Sequence, residues 1–182
     1  MILGLDASTN TVGISILDAD GEIVQLNFLK LSKWKTLHVK GDRLREEFEK
    51  IKSQYNITEV YIEEYAQRFS YGRSSASTIT RLASWNGICQ YIAWKTFSVP
   101  PQTLNVTRAR KLVKIPTQSK KKAGKDVKQQ VFEWVTQHLN YQWPTKILQS
   151  GPRKGQQVLL DESYDMCDAW VIAQAGYLQE SA

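Results

Sequence analysis

The chain has 182 residues, of which 42% are hydrophobic and 23% are charged. This composition is typical of a globular protein with a substantial core and argues against a disordered or fibrous chain, so we expect one domain over residues 1–182. The formal net charge of +6 favours a polyanionic partner, because Lys and Arg gain affinity by displacing counterions from phosphates.

The cysteines and the lengths of the apolar segments indicate where in the cell the protein is expected. Cys89 and Cys167 lie in apolar helix-like segments and lack the spacing of metal ligands, which is typical of buried thiols in a reducing environment. The first residues predict a strand rather than a leader peptide, and no apolar run is long enough to cross a bilayer. We therefore expect a soluble, cytoplasmic protein with no membrane partner.

Strand patterns open the chain. Ile2 to Asp6, Thr11 to Leu17 and Glu22 to Leu29 are rich in aliphatic and β-branched residues. A turn sequence, Asp18 to Gly21, separates the second segment from the third. This pattern predicts a three-stranded antiparallel meander.

Helical and strand patterns alternate in the rest of the chain. After a basic loop from Lys30 to Lys40, apolar residues at helical spacing predict a helix that begins with Asp42 as its cap and ends at Asn56. The segment from Tyr141 to Leu160 is broken by Pro and Gly, and we expect a surface insertion there. The other predicted elements are a buried strand from Glu59 to Glu63, a long helix from about Ser74 to Phe97, a short strand from Gln102 to Val106, and helices at Arg108 to Val113, Asp126 to Leu139 and Glu162 to Leu178. Such an order requires crossover connections and predicts an α/β fold with a mixed sheet.

Two acidic residues stand at strand ends. Asp6 shares a strand face with Ile2 and Gly4, because side chains alternate along a strand. Alternation also puts Glu63 and Glu64 on opposite faces, so only one of them should point at Asp6, and we favour Glu63. An acid at a strand end also occurs in turns and caps, and that alternative stays open.

Two further acids lie on the last predicted helix. Asp165 and Asp168 are three residues apart on a mostly apolar helix, so they share a face and repel each other unless a cation lies between them. Acids of a first turn can also complement the helix dipole, which suits Asp161 and Glu162, and Asp161 could serve as an outer ligand. Carboxylates carried on separate elements can bind two Mg²⁺ ions about 3.5–4 Å apart for phosphodiester hydrolysis. The four acids therefore indicate a nuclease, and any water would be activated by metal rather than by His38 or His138.

Basic residues cluster beyond the long helix, in a run with Asp126 as its one acid. The run leads into a helix N-terminus, which favours phosphate binding, although such runs are often only solvated loops. Its members are Arg108, Arg110, Lys111, Lys114, Lys120, Lys121, Lys122, Lys125 and Lys128. A second group, Arg68, Phe69, Tyr71 and Arg73, follows Glu63 and Glu64 directly. Aromatic residues between arginines suit base stacking or strand wedging, with core packing as the alternative.

These acidic motifs resemble those of the RuvC-type Holliday junction resolvases of the RNase H-like superfamily. The resemblance rests on three segments in the same order and covers nearly the whole chain: Leu3-Gly4-Leu5-Asp6-Ala7-Ser8, Tyr61-Ile62-Glu63 and Asp165-Met166-Cys167-Asp168-Ala169-Trp170. Ala7-Ser8 replaces the Pro-Gly of many bacterial members, and the Tyr141 to Leu160 segment is longer, as in a divergent phage or viral branch. The protein would then act in a bacterial or virus-infected host cell.

The resemblance implies a five-stranded mixed sheet flanked by helices, a homodimer, and Mg²⁺-dependent paired nicking of four-way DNA junctions. Asp6, Glu63, Asp165 and Asp168 would be catalytic and would bind two Mg²⁺ ions, for which Mn²⁺ can substitute. Lys125 resembles the lysine that approaches the DNA backbone. Phe69 resembles the junction-opening aromatic residue, a role that Tyr65 or Tyr71 could also fill. The interface of the homodimer is expected on the long helix.

Other functions remain as alternatives. A less selective flap or branch endonuclease would use the same acids. A non-catalytic nucleic-acid-binding module would not need the full set. An ATP-binding protein of the actin and sugar-kinase type is suggested by Leu5 to Asn10, but such proteins have two lobes and a second glycine-rich loop, so we expect no nucleotide cofactor.

Overall fold

A mixed five-stranded sheet forms the centre of the molecule. The computed structural model describes residues 1–65 and 76–180. The strands are β1 Ile2–Ala7, β2 Thr11–Leu17, β3 Ile23–Lys30, β4 Glu59–Glu63 and β5 Gln102–Leu104. The sheet order is β3-β2-β1-β4-β5, with β1 antiparallel to β2 and parallel to β4. The predicted meander and mixed sheet are confirmed.

Helices cover both faces of this sheet. They are α1 Leu37–Gln54, α2 Ala76–Phe97, α3 Val106–Leu112, α4 Lys120–Ala123, α5 Val127–His138 and α6 Ser163–Glu180. Helices α1 and α2 pack on one face, whereas α6 packs on the other and carries α3 and α5 on its outer side. None of the helices in residues 1–65 and 76–180 is both long and apolar enough to cross a membrane.

Side-chain alternation along β1 divides the core into two layers. Leu3 and Leu5 are fully buried in the layer shared with α1 and α2, whereas Ile2 is buried in the layer shared with α6. Gly4 faces α6 so closely that a Cβ atom there would lie 2.5 Å from the Ala173 nitrogen. The alternation predicted for this strand is therefore confirmed, and it leaves Asp6 on the α6 side.

The first helix begins earlier than predicted. Asp42 is not its cap, because the Thr36 side chain accepts a hydrogen bond from the Val39 N–H and starts the helix at Leu37. Lys40, predicted to lie in a basic loop, is buried in the helix and its Nζ donates to the Thr9 carbonyl. A buried lysine in the first turns has no apolar signal, which is why the pattern missed this turn.

The broken segment after Tyr141 contains a β-hairpin, with β6 Thr145–Ile147 antiparallel to β7 Gln157–Leu159. Both strands are short and mostly exposed, so they lack the alternation that identifies a half-buried strand. The short helix α4 was likewise not predicted. Helix α3 begins at Val106 rather than Arg108, because the Asn105 side chain accepts hydrogen bonds from the Thr107 and Arg108 N–H groups.

Candidate active site

The parallel pairing of β1 and β4 brings Asp6 and Glu63 together. Leu5 is paired with Ile62, so Asp6 and Glu63 come next at the carboxyl ends of neighbouring strands. Burial raises the pKa of Asp6, and the charge of Glu63 raises it further. Burial and the charge of Asp168 raise the pKa of Glu63, although a hydrogen bond with Asp6 opposes this. The two carboxyls form one electrostatic unit.

Helix α6 adds its two acids to this unit by packing on β2. Gly13 of β2 is paired with Asp6, and a Cβ atom on Gly13 would meet the Asp165 carbonyl oxygen at 2.0 Å. Glycine therefore allows the first turn of α6 to lie against the strand that neighbours Asp6. The charges of both Asp165 and Asp168 raise the pKa of Asp6, which places all four predicted acids within electrostatic reach of one another.

Cations from α3 and α5 face the α6 acids. Lys128 Nζ lies 2.8 Å from Asp165 Oδ1 and 3.8 Å from Asp168 Oδ2, and Arg110 Nη2 lies 3.5 Å from Asp168 Oδ1. Burial lowers the pKa of Lys128, but the hydrogen bond and the charge of Asp165 outweigh it, so this pKa is raised. The cation that the spacing of the two acids requires is therefore Lys128.

The donor chemistry of the site suits a hard divalent cation. Asp168 is only 7% exposed, and its Oδ1 has no hydrogen-bond partner among the described residues. Burial raises its pKa, whereas Lys128 and Arg110 lower it. Among the described residues, no three side chains of His, Cys, Asp or Glu lie close enough to one another to bind a single metal ion. Ion binding would thus require these carboxylates to turn away from Lys128 and toward each other.

A cavity of about 220 Å³ opens beside the strand ends. Asn86 of α2 lies in its wall, where its amide donates to the Glu63 carbonyl at 2.8 Å and anchors the end of β4. Glu64 also lines this cavity and accepts a 3.3 Å hydrogen bond from Asn105. The cavity is lined by Asp6, Ala7, Ser8, Glu63, Glu64, Tyr65, Leu82 and Asn86. The sequence alone assigns Asn86 no role, and its one signal there is an amide among the apolar residues of a predicted helix.

The basic residues separate into two groups. Lys111, Lys120, Lys121 and Lys122 are exposed on α3 and α4. Lys125 pairs with Glu133 of α5, whereas Lys128, one turn further along, reaches the carboxylates. Only the packing of α5 on α6 distinguishes Lys128 from its neighbours.

The second predicted DNA-contacting group is not placed. Arg68, Phe69, Tyr71 and Arg73 lie outside the described residues. Tyr65, the last described residue before them, lines the cavity beside Glu63 and Glu64.

Comparisons with solved structures relate the fold to that of RuvC. No protein family model and no curated protein matches the chain. Thermus thermophilus RuvC in complex with a Holliday junction substrate superposes with a TM-score of 0.61 at 13% identity, over 100% of this chain and 95% of that one. A second Thermus thermophilus RuvC structure gives a TM-score of 0.61 at 14% identity, over 99% and 95%. The chain therefore has the RNase H-like fold of the RuvC structures, over its whole length and at low sequence identity.

Proposed function

We propose that this protein is a divalent-metal-dependent endonuclease that resolves four-way DNA junctions by paired, symmetric nicks. The observation that carries the proposal is the convergence of four carboxylates from β1, β4 and α6 at one edge of the sheet. The shared fold supports it, since one of the similar RuvC structures holds a Holliday junction substrate. The net charge of +6 suits a DNA partner.

Asp6, Glu63, Asp165 and Asp168 are the proposed catalytic residues and ligands of two Mg²⁺ ions, with Mn²⁺ as a substitute. Bound ions would activate water and stabilise the leaving 3′ oxygen, which yields 5′-phosphate and 3′-hydroxyl ends. In their absence, burial and the repulsion between neighbouring carboxylates raise the pKa values of Asp6 and Glu63. This repulsion favours cation binding, and the proposed chemistry uses no nucleotide.

Lys128 and Arg110 hold the α6 acids ready for the reaction. Their contacts with Asp165 and Asp168 hold these carboxylates in position. If Asp165 and Asp168 held metal ions, the Lys128 ammonium would be available to a phosphate of the bound strand. Lys125, which precedes the first residue of α5 by two positions, is proposed to approach the DNA backbone from farther away.

The exposed basic residues Lys111, Lys120, Lys121 and Lys122 are proposed to bind phosphates without reading sequence. The group outside the described residues, Arg68, Phe69, Tyr71 and Arg73, is proposed to contact bases at the junction centre. Phe69 would stack on or wedge between bases there. These contacts are independent of the metal ions, so DNA binding should persist in EDTA.

A homodimer completes the proposal, because a four-way junction has two strands to cut and the chain carries one set of acids. A C₂ dimer presents two sites with the symmetry of the junction. Helix α2 offers a face for it: Tyr91 is 58% and Trp94 47% exposed. Their rings pack edge to face with centroids 6.3 Å apart. They form an aromatic patch on the side of α2 that faces away from the sheet.

Cleavage assays test this proposal directly. The protein is incubated with labelled four-way, three-way, flap and linear DNA in Mg²⁺ and in EDTA. We expect paired incisions in the four-way junction in Mg²⁺, binding alone in EDTA, and junction binding without cleavage by Asp6→Asn. Equal cleavage of flaps and three-way branches would favour a branch endonuclease, and full activity of Asp6→Asn would remove that residue from the site.

A further inference from the structure

All the charged side chains of the β6–β7 hairpin are positive. From Trp134 to Leu160 the chain contains no Asp or Glu. Lys146 lies on β6, and Arg153 and Lys154 lie in the loop that joins the two strands. A segment of this length without an acid presents a positive surface that no internal carboxylate neutralises.

The base of the hairpin is fixed beside the carboxylates. The Trp143 ring packs on Phe132 of α5 with ring centroids 4.8 Å apart, and Phe132 packs on Tyr164 of α6 at 4.8 Å. The Leu160 N–H donates to the Pro144 carbonyl at 3.0 Å and closes the base. Since Tyr164 precedes Asp165 directly, the hairpin is attached to the turn that carries the α6 acids.

The tip of the hairpin is ordered by its own backbone. Leu148 donates to the Gln156 carbonyl at 3.0 Å and accepts from the Gly155 N–H at 2.9 Å. Gly151 and Gly155 have φ angles of 80° and 86°, which glycine adopts without a steric penalty. The loop is thus a defined turn rather than a loose connection.

The cations of this tip are available to a ligand. Arg153 and Lys154 are exposed, and neither forms an ion pair with a residue in the described part of the chain. Lys146 forms one ion pair, in which its Nζ lies 3.4 Å from Asp161 Oδ2, and the Asp161 side chain is 90% exposed. An ion pair so exposed contributes little, so Lys146 can exchange Asp161 for another anion.

We propose that this hairpin is a second DNA-binding element, which lies along the phosphate backbone of one duplex arm. The inference rests on the proposed function. A ribbon whose strands have three residues each extends roughly 10 Å from its base, which covers about three phosphates of one strand. A rigid cationic ribbon anchored next to the carboxylates would hold an arm in a fixed direction relative to the cleavage site.

Binding measurements test the hairpin with a matched control. Arg153→Ala/Lys154→Ala is compared with Arg45→Ala/Lys52→Ala, which removes the same charge from α1 on the other side of the sheet. Affinity for a four-way junction is measured in EDTA over a range of salt concentrations. The hairpin variant should bind roughly 10-fold more weakly, with a salt dependence lower by about two units for each bound protomer, because each lost phosphate contact removes about one. The α1 variant should match the wild type.

A tethered cleavage reagent locates the contact. Both native cysteines are buried, so Ser150→Cys provides an accessible thiol for attaching iron-EDTA. Radical cleavage should fall on two arms related by the two-fold axis, one for each protomer of the proposed dimer, several nucleotides from the junction centre. Cleavage spread evenly over all arms, or unchanged affinity and salt dependence of the hairpin variant, would overturn the inference while junction binding by the wild type stands. If the wild type itself binds no junction, the proposed function fails and the inference fails with it.

Discussion

The backbone of Asp165 lies directly against Gly13, where a Cβ atom would come within 2.0 Å of the Asp165 carbonyl oxygen. Because backbone atoms cannot turn aside, Gly13→Ala must push α6 away from β2 and move Asp165 relative to Asp6. We expect unfolding free energy to fall by about 3 kcal/mol or more, as in severe overpacking. Metal-dependent cleavage should fall as well.

Ser15→Ala is the matched control for this substitution. Ser15 lies two residues along the same face of β2, and its buried hydroxyl has no hydrogen-bond partner among the described residues. Its loss should change stability by less than about 1 kcal/mol. Chemical denaturation of both variants compares the two effects, and equal destabilisation would mean that the contact between Gly13 and Asp165 is not tight.

Glu63 and Glu64 provide a test of which glutamate serves the site. We expect Glu63→Gln to lower the cleavage rate at least about 10²-fold, or ~2.7 kcal/mol, because Glu63 forms a hydrogen bond with Asp6 and interacts with the charge of Asp168. Glu64→Gln should have a much smaller effect, since strand alternation turns it toward Asn105. Single-turnover cleavage measures both, and an equal loss would show that both glutamates serve the metal site.

Lys128 and Lys125 should differ in their effect on cleavage. Lys128→Ala removes the cation that contacts Asp165 and Asp168, and we expect the cleavage rate to fall roughly 10²-fold. Lys125→Ala should reduce cleavage less than Lys128→Ala does, yet more than it reduces affinity. Rates at saturating DNA, with binding measured in EDTA, separate the two effects. A larger loss of cleavage rate for Lys125→Ala than for Lys128→Ala would mean that Lys125 is the more important lysine for cleavage.

Trp94→Glu tests the proposed dimer face. A charge among the exposed aromatic residues of α2 should disfavour association, giving a monomer that makes single nicks instead of paired incisions. Val39→Glu is the control, because Val39 is 40% exposed on α1. Sedimentation with and without junction DNA measures the mass. A wild type that is monomeric in both states would remove the symmetric mechanism.

Glu162 should make stability depend on pH. Its hydrogen bond from Lys30 lowers its pKa in the folded state. The ion pair between Glu162 and Lys30 therefore contributes fully to stability above the ordinary pKa of glutamate. This contribution is lost as the pH falls through the lower pKa that Glu162 has in the folded protein. At pH 7, Glu162→Gln should be less stable by about 1 kcal/mol. Thermal unfolding near roughly pH 3 should show a smaller difference in stability between the wild type and Glu162→Gln. A difference that grows in acid would contradict this role of Glu162.

Local periodicity determined much of the fold. The period-2 pattern of the first strands predicted the meander and placed Leu3 and Leu5 opposite Ile2 and Gly4, as the structure confirms. The same alternation put Asp6 on the α6 side, and spacing along the last helix put Asp165 and Asp168 on one face. These features depend on neighbours in the chain, so the sequence contains them.

Tertiary structure decided the features that depend on distant partners. Lys128 could not be distinguished from Lys125, because only the packing of α5 on α6 brings one of them to Asp165. Likewise, the tight contact that Gly13 permits joins β2 to a helix some 150 residues later. The hairpin after Trp143 has exposed strands without a pattern, and it is held by aromatic contacts with Phe132 and through it with Tyr164. Sequence pattern thus supplied the acids, whereas long-range packing selected the cations and surfaces that serve them.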